Sequence, residues 1–221
     1  KPLIIKLLKL FFKSGMLKLF FMKRNLITIA ILSIFPAALF YNCNSPVYKQ
    51  PVESVTEKKT PDYLGVGKNI TTETQSVLAK NLVGAINKAG TEYALEFCNT
   101  KAILLTDSMS LLLNAGIKRV SDKPRNAGNL ANEPEIEYIR FTKAGMEKGE
   151  IPEATITEMN GKMVGYYPII TKKVCLQCHG NKEVDIKIPV YKKINKLYPG
   201  DKAIGYKENE VRGIWVIEMK K

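Results

Sequence analysis

Apolar residues change their spacing twice along this chain, from a continuous run near the start, through helical periodicity, to alternation near the end. The continuous run is Leu26 to Tyr41, 16 residues. Helical spacing begins where Thr71 or Thr72 can cap a first turn that contains Glu73 and Thr74. Leu78, Leu82, Val83 and Ile86 give this helix an apolar face, and Gly90 ends or bends it. A second helix follows from Thr91. Its Ala94, Leu95, Cys98, Ala102 and Leu105 share one face, which turns Cys98 inward. Ile117 to Ser121 reads as a short strand, and Lys123-Pro124-Arg125-Asn126 opens a polar loop. Pro134 then begins a third helix carrying Ile136, Ile139, Phe141 and Met146.

Strand spacing takes over afterwards. Ala154 to Met159, a turn at Asn160-Gly161, and Lys162 to Ile170 read as a hairpin, because an Asn-Gly pair supplies the positive φ angles of a tight turn. A short helix from Val190 to Leu197 follows, then Tyr198-Pro199-Gly200-Asp201, and a last strand from Arg212 to Met219 with the lone Trp215. Helices first and an antiparallel sheet afterwards predict an α+β fold, with the N-terminal helices packed on the sheet. Residues 43–68, with Pro46, Pro51, Pro61 and Glu57-Lys58-Lys59-Thr60, read as a linker. Residues 69–221 form one domain of about 150 residues, enough for a single core. No internal repeat is visible.

Charge sharpens the reading of the N-terminus. Of 34 basic residues, seven lie in 1–42 without any acid, leaving 27 against 21 acidic residues over 43–221. Met22-Lys23-Arg24-Asn25 followed by the apolar run resembles the basic and apolar regions of a secretory signal, and the run is short for a membrane span of about 20 residues. Met22 is the expected start, with 1–21 as upstream sequence; a Lys-rich amphipathic helix on a membrane surface is the alternative. Cys43, which closes the run, is a candidate for lipidation, although Phe40, Tyr41 and Asn42 replace the small residues usual before such a cysteine. Either route predicts a periplasmic or cell-envelope location with a membrane anchor at the N-terminus. The mild positive excess that remains suits an acidic redox partner, and no basic stripe with interleaved aromatics suggests nucleic acid.

The candidate chemistry sits in Cys175-Leu176-Gln177-Cys178-His179-Gly180, which contains the only histidine. C-x-x-C-H is the spacing of c-type haem attachment: each thiol adds to one porphyrin vinyl group, and the following imidazole ligates the iron. A zinc site would need about four ligands, and adjacent Cys178 and His179 fit poorly on one tetrahedral ion. A thioredoxin-like pair would need a βαβ pattern, and a structural disulfide leaves the histidine unexplained. The expected cofactor is therefore one covalently bound haem c, on Cys175 and Cys178, with His179 as an axial ligand. A second histidine is excluded for the other axial position. Met109, Met146, Met159, Met163 and Met219 are candidates, as is Cys98, the odd thiol of the mature chain. Each has a plainer reading as core filler.

Several longer segments resemble, in order, the Tll0287-like haem domain family (DUF3365). They are Glu96-Phe97-Cys98, Lys123-Pro124-Arg125-Asn126, Tyr166-Tyr167-Pro168-Ile169, Cys175 to Gly180, Tyr198 to Tyr206, and Val211-Arg212-Gly213-Ile214-Trp215-Val216. The resemblance implies a PAS-like α+β domain with one c-type haem and a histidine/cysteine axial pair, His179 proximal and Cys98 distal. Asn126 to Asn132 departs from the family pattern as a longer asparagine-containing loop. Arg125 is a candidate partner for a haem propionate, since an arginine fork matches a carboxylate; a surface loop arginine is the alternative.

Thiolate ligation favours Fe(III) and a low potential. The expectation is a monohaem cytochrome, not an enzyme, that carries electrons to or from an unknown protein partner at the outer face of a membrane. A haem-based redox or gas sensor is the alternative, in which Cys98 leaves the iron.

Overall fold

The computed structural model describes residues 61–221. The expected signal, the Cys43 lipidation site and most of the linker lie outside the described residues. The order of elements is α1 (Tyr63–Leu112), β1 (Gly116–Val120), a 3₁₀ turn (Ala127–Asn129), α2 (Glu133–Glu147), β2 (Thr155–Met159), β3 (Lys162–Ile170), α3 (Lys173–His179), α4 (Ile188–Leu197) and β4 (Val211–Lys220). The strands form one antiparallel sheet in the order β1-β4-β3-β2. This is the predicted α+β arrangement.

The hairpin closes where expected, with Asn160 at φ 52° and Gly161 at φ 75°. Such a turn matches the right-handed twist of the strands it joins. β4 lies between β1 and β3 and is covered on both sides. Its Ile214 and Val216 join Val120, Tyr138, Ile139, Val164 and Tyr166 under α2, while Trp215, Ile217 and Met219 join Ile70, Met109, Ile117 and Tyr167 under α1. Burial on both faces explains why the strand is nearly all apolar instead of alternating.

Three expectations are corrected. The first helix starts at Tyr63, not at Thr71 or Thr72, so it takes over the last residues assigned to the linker. Asp62 caps it by accepting from the Gly65 N–H at 2.9 Å. Thr71 and Thr74 are buried within this helix and donate to the carbonyls of Gly67 and Ile70 at 2.9 and 2.8 Å. A threonine that satisfies its hydroxyl on its own helix can face a core, so cap chemistry misled here. Phe141 is exposed, and the buried face of α2 is instead Glu135, Tyr138, Ile139, Thr142 and Gly145. Finally, the C-x-x-C-H segment lies on α3, not in a loop.

Glycine decides the path of α1 at two points. A Cβ on Gly67 would meet the Tyr167 hydroxyl at 2.0 Å, and that hydroxyl donates to the Leu64 carbonyl at 3.0 Å. Ala89 and Gly90 leave helical geometry, Gly90 with φ 80° and ψ 179°. That region is open essentially to glycine alone. The break lets the first half of α1 cover the sheet and the second half, which carries Cys98, reach α4. Leu95 there packs with Ile186, Val190 and Ile194, and with the side chain of Cys178. Among the described residues no helix is long and apolar enough to cross a membrane.

Candidate functional site

The seven-residue α3 presents both thiols and the imidazole from one short element at the edge of this third cluster. Cys98, Cys175 and Cys178 are all free. The Cys175 sulfur accepts from the Lys172 N–H at 3.3 Å, and Thr91, just past the break in α1, donates to the Gln177 side chain at 2.8 Å. His179 is held by the loop that follows α4. Its Nδ1 lies 2.7 Å from the Ala203 carbonyl, and its own carbonyl accepts from the Tyr206 N–H at 2.9 Å. A carbonyl can only accept, so Nδ1 carries the proton and Nε2 keeps its lone pair free. The Arg212 Nε at 3.4 Å therefore finds no acceptor at Nδ1. Burial, with Arg125 and Arg212 nearby, pushes the His179 pKa well below its ordinary value. The ring is a neutral donor, the form a metal requires.

Arg125, the candidate partner for a haem propionate, is held within the protein by Asp201. It is the hub of the loop that follows β1. Its Nε and Nη2 grip the two carboxylate oxygens of Asp201 at 3.2 and 3.1 Å, and Nη2 also reaches the carbonyls of Cys178 at 2.5 Å and Ala203 at 3.3 Å. Asp201 in turn accepts from the Ala203 N–H at 2.9 Å. Both side chains are buried, at 10% and 5% exposure, which excludes the surface-arginine alternative. One ion pair thus joins the haem-motif helix to the backbone unit that orients His179. The longer Asn126–Asn132 loop folds away into the 3₁₀ turn, and Asn132 caps α2 in a reciprocal pair with Glu135.

Cys98 is part-buried on the second half of α1. Burial raises its pKa, against the pull of Arg119 and Arg125. Burial likewise pushes Cys178 up to about 11, opposed by Arg125, with Cys98 close enough to add to the rise. The five candidate methionines sit elsewhere. Met109, Met163 and Met219 pack under α1, and Met146 and Met159 pack under α2. Among the described residues no three His, Cys, Asp or Glu side chains converge as a direct ligand set for a metal ion. A groove of about 620 Å³ runs beside the break in α1, lined among others by Val77, Lys80, Lys88, Tyr93 and Phe97, without the thiols or the imidazole.

The family model for Tll0287-like proteins, described as Tll0287, matches residues 49–219. The chain belongs to the Tll0287-like family. The crystal structure of the cyanobacterial haem protein Tll0287 aligns with a TM-score of 0.53 at 16% identity, covering 73% of this chain and 98% of that one. At that identity the likeness establishes the fold. No curated protein matches the sequence.

In this Tll0287-like chain the donor set fits a tethered haem. Two free thiols stand at vinyl-bridging spacing, a neutral imidazole has its Nε2 free, and a third thiol lies on a neighbouring helix. The Tyr206 hydroxyl is buried beside Ser121 and Arg212, whose guanidinium carbon lies 5.4 Å from the Tyr206 ring. Sequence reasoning missed Asp201, Ala203, Arg119 and Arg212. Asp201 and Arg212 lie in segments that resemble the family, but their pairing across the fold has no linear signal. Ala203 acts through its backbone carbonyl, which no side-chain pattern reports.

Proposed function

We propose that this protein is an exported monohaem c-type cytochrome that transfers electrons at low potential, with His179 and Cys98 as axial ligands. The observation that carries the reading is the 2.7 Å bond from His179 Nδ1 to the Ala203 carbonyl, made by the histidine of a C-x-x-C-H helix. Membership of the Tll0287-like family and the structural likeness to a cyanobacterial haem protein support it. Cys175 and Cys178 provide the tether: each sulfur adds to one vinyl carbon and its hydrogen to the other, so no oxidant is needed. When bound, the haem supplies a one-electron Fe(III)/Fe(II) couple. The protein holds the imidazole in one tautomer through Ala203, and Arg125 with Asp201 fixes that carbonyl. Cys98 must lose its proton to serve as a thiolate, and the nearby arginines favour that loss. With both axial positions taken, chemistry on a bound substrate is disfavoured, which argues for a carrier and against an enzyme. The N-terminal signal and Cys43 support an envelope location with a membrane anchor, where a protein redox partner would dock.

Acid–acetone extraction of purified holoprotein tests the tether. The haem should stay with the polypeptide, and Cys175→Ala with Cys178→Ala should release it. Extractable haem in the unaltered protein overturns the c-type reading. Carbon monoxide added to the reduced protein should leave its spectrum unchanged; binding with loss of Cys98 ligation would replace the carrier with a sensor.

A further inference from the structure

The outward face of α4 and the turn before it carry positive charge that the protein leaves unanswered. Residues 172–202, from the cap of α3 to the loop that holds His179, contain eight lysines against three acids. That excess of five is most of the excess of six over 43–221. Asp201 is spent on Arg125. Among the described residues Lys193, which meets Glu96 of α1, is the one lysine of the eight with a carboxylate partner. Around the sheet, by contrast, Lys118, Lys143, Lys162 and Lys221 each have one.

The unanswered charges stand where local structure disfavours them. Lys172 is the N-cap of α3 and Lys187 that of α4; neither side chain caps its helix, and neither first turn contains an acid. The N-terminus of a helix carries partial positive charge, so a lysine there opposes the helix it begins. Lys192 and Lys196 lie one turn apart on the exposed side of α4, a like-charged pair that also destabilises. A face made only for solubility would mix the signs. The same face opens with apolar residues: Val184 and Ile188 are 83% and 71% exposed, and Ile188 stands one turn before Lys192.

The opposite face of α4 reaches the site. Val190 and Ile194 pack there with Leu95 and the Cys178 side chain. One helix thickness, about 10 Å, therefore separates the outward lysines from a tethering thiol. On the haem reading above, we propose that this face is the dock for an electron-transfer protein that presents carboxylates around a small apolar centre. Lys192 and Lys196, with Lys187 at the rim, meet the carboxylates and steer the approach, while Val184 and Ile188 exclude water at the centre. An anionic membrane is the weaker fit. A helix that lies on lipid turns its apolar face outward, and α4 spends Val190, Ile194 and Leu197 on the core.

Reduced plant-type ferredoxin, a small acidic protein of low potential, is the probe. Its cluster gives one electron to the haem of the full-length holoprotein, which passes from Fe(III) to Fe(II). The second-order rate constant should fall steeply as salt rises. Lys192→Glu with Lys196→Glu should slow the low-salt reaction about tenfold or more and flatten its salt dependence. Ile188→Ser should slow it less, and at every ionic strength. Lys68→Glu with Lys220→Glu makes the same change in net charge at exposed positions on α1 and at the end of β4, and should leave the rate within about twofold. Equal slowing by the two double variants overturns the proposal, because net charge alone would then steer the partner. So does an unchanged rate in Lys192→Glu with Lys196→Glu. Binding to vesicles of phosphatidylglycerol and phosphatidylcholine that is lost in this variant replaces the protein partner with a membrane. Carbodiimide cross-links to the ferredoxin, located by mass spectrometry, should fall on Lys187, Lys192 and Lys196; cross-links confined to other elements overturn the proposal. A purified protein without covalent haem defeats the haem reading itself, a result kept distinct by the cross-links, which need no electron transfer.

Discussion

The sheet and the site end of this molecule are made of opposite materials. Around β4, Trp215, Ile214, Val216 and Ile217 are each at most 2% exposed and are surrounded by apolar side chains from α1 and α2. Each such side chain contributes about 1.5–3 kcal/mol by leaving water. The site end has a thin apolar cluster under Leu95, Val190 and Ile194, and beside it Arg119, Arg125 and Arg212 with one carboxylate among them. The sheet is complete without a ligand. The site end carries an excess of positive charge, three arginines to one carboxylate. The contrast separates the part that holds the fold from the part that takes a cofactor.

Substitutions that cross this boundary break or sharpen the comparison. Trp215→Ala removes the largest buried side chain of the sheet and should cost about 3–5 kcal/mol in chemical denaturation. A loss below about 1 kcal/mol would mean that the sheet is not the closed core it is taken for. Asp201→Asn leaves Arg125 buried without its carboxylate, at a cost of about 3–5 kcal/mol. It should also alter the low-spin electron paramagnetic resonance signal of the holoprotein, since Ala203 no longer holds His179 firmly. Lost stability with an unchanged signal would make the pair a matter of fold only. Gly90→Ala meets no atom within 4 Å, so its expected cost of about 1–3 kcal/mol is backbone strain alone. Thermal melts of that variant should fall while haem content holds, if the break only routes α1. Lys162→Ala removes a solvent-exposed ion pair to Glu218 near the end of the β3–β4 ladder, with 56% and 36% exposure. It should change stability by less than about 1 kcal/mol, and a larger loss would show that ion pairs on the sheet matter as much as the buried one at the site.

Local signals were readable wherever the chain acts on near neighbours. The Asn160-Gly161 turn, the break at Gly90 and the last strand all stand where the residue pattern put them. The start of α1 was not readable, because Thr71 looks like a capping residue until a core is known to lie beside it. Phe141 misled for the reverse reason: an apolar residue in a helix declares no direction until the packing face is set. At the site, the two thiols and His179 announce themselves by spacing. The partner of Arg125 lies 76 positions away. No periodicity connects the two.

The sequence by itself determined the α+β order of elements, the thiols and imidazole of α3, and the family, because these depend on spacing along the chain and on residue type. Only the tertiary structure decided which arginine was already taken. Arg125 and Arg119 are chemically identical and look equally available in a sequence. Folding brings Asp201 to one and stacks the other over the Trp215 ring. Charge compensation depends on distance through space, and that distance exists only after the strands have paired.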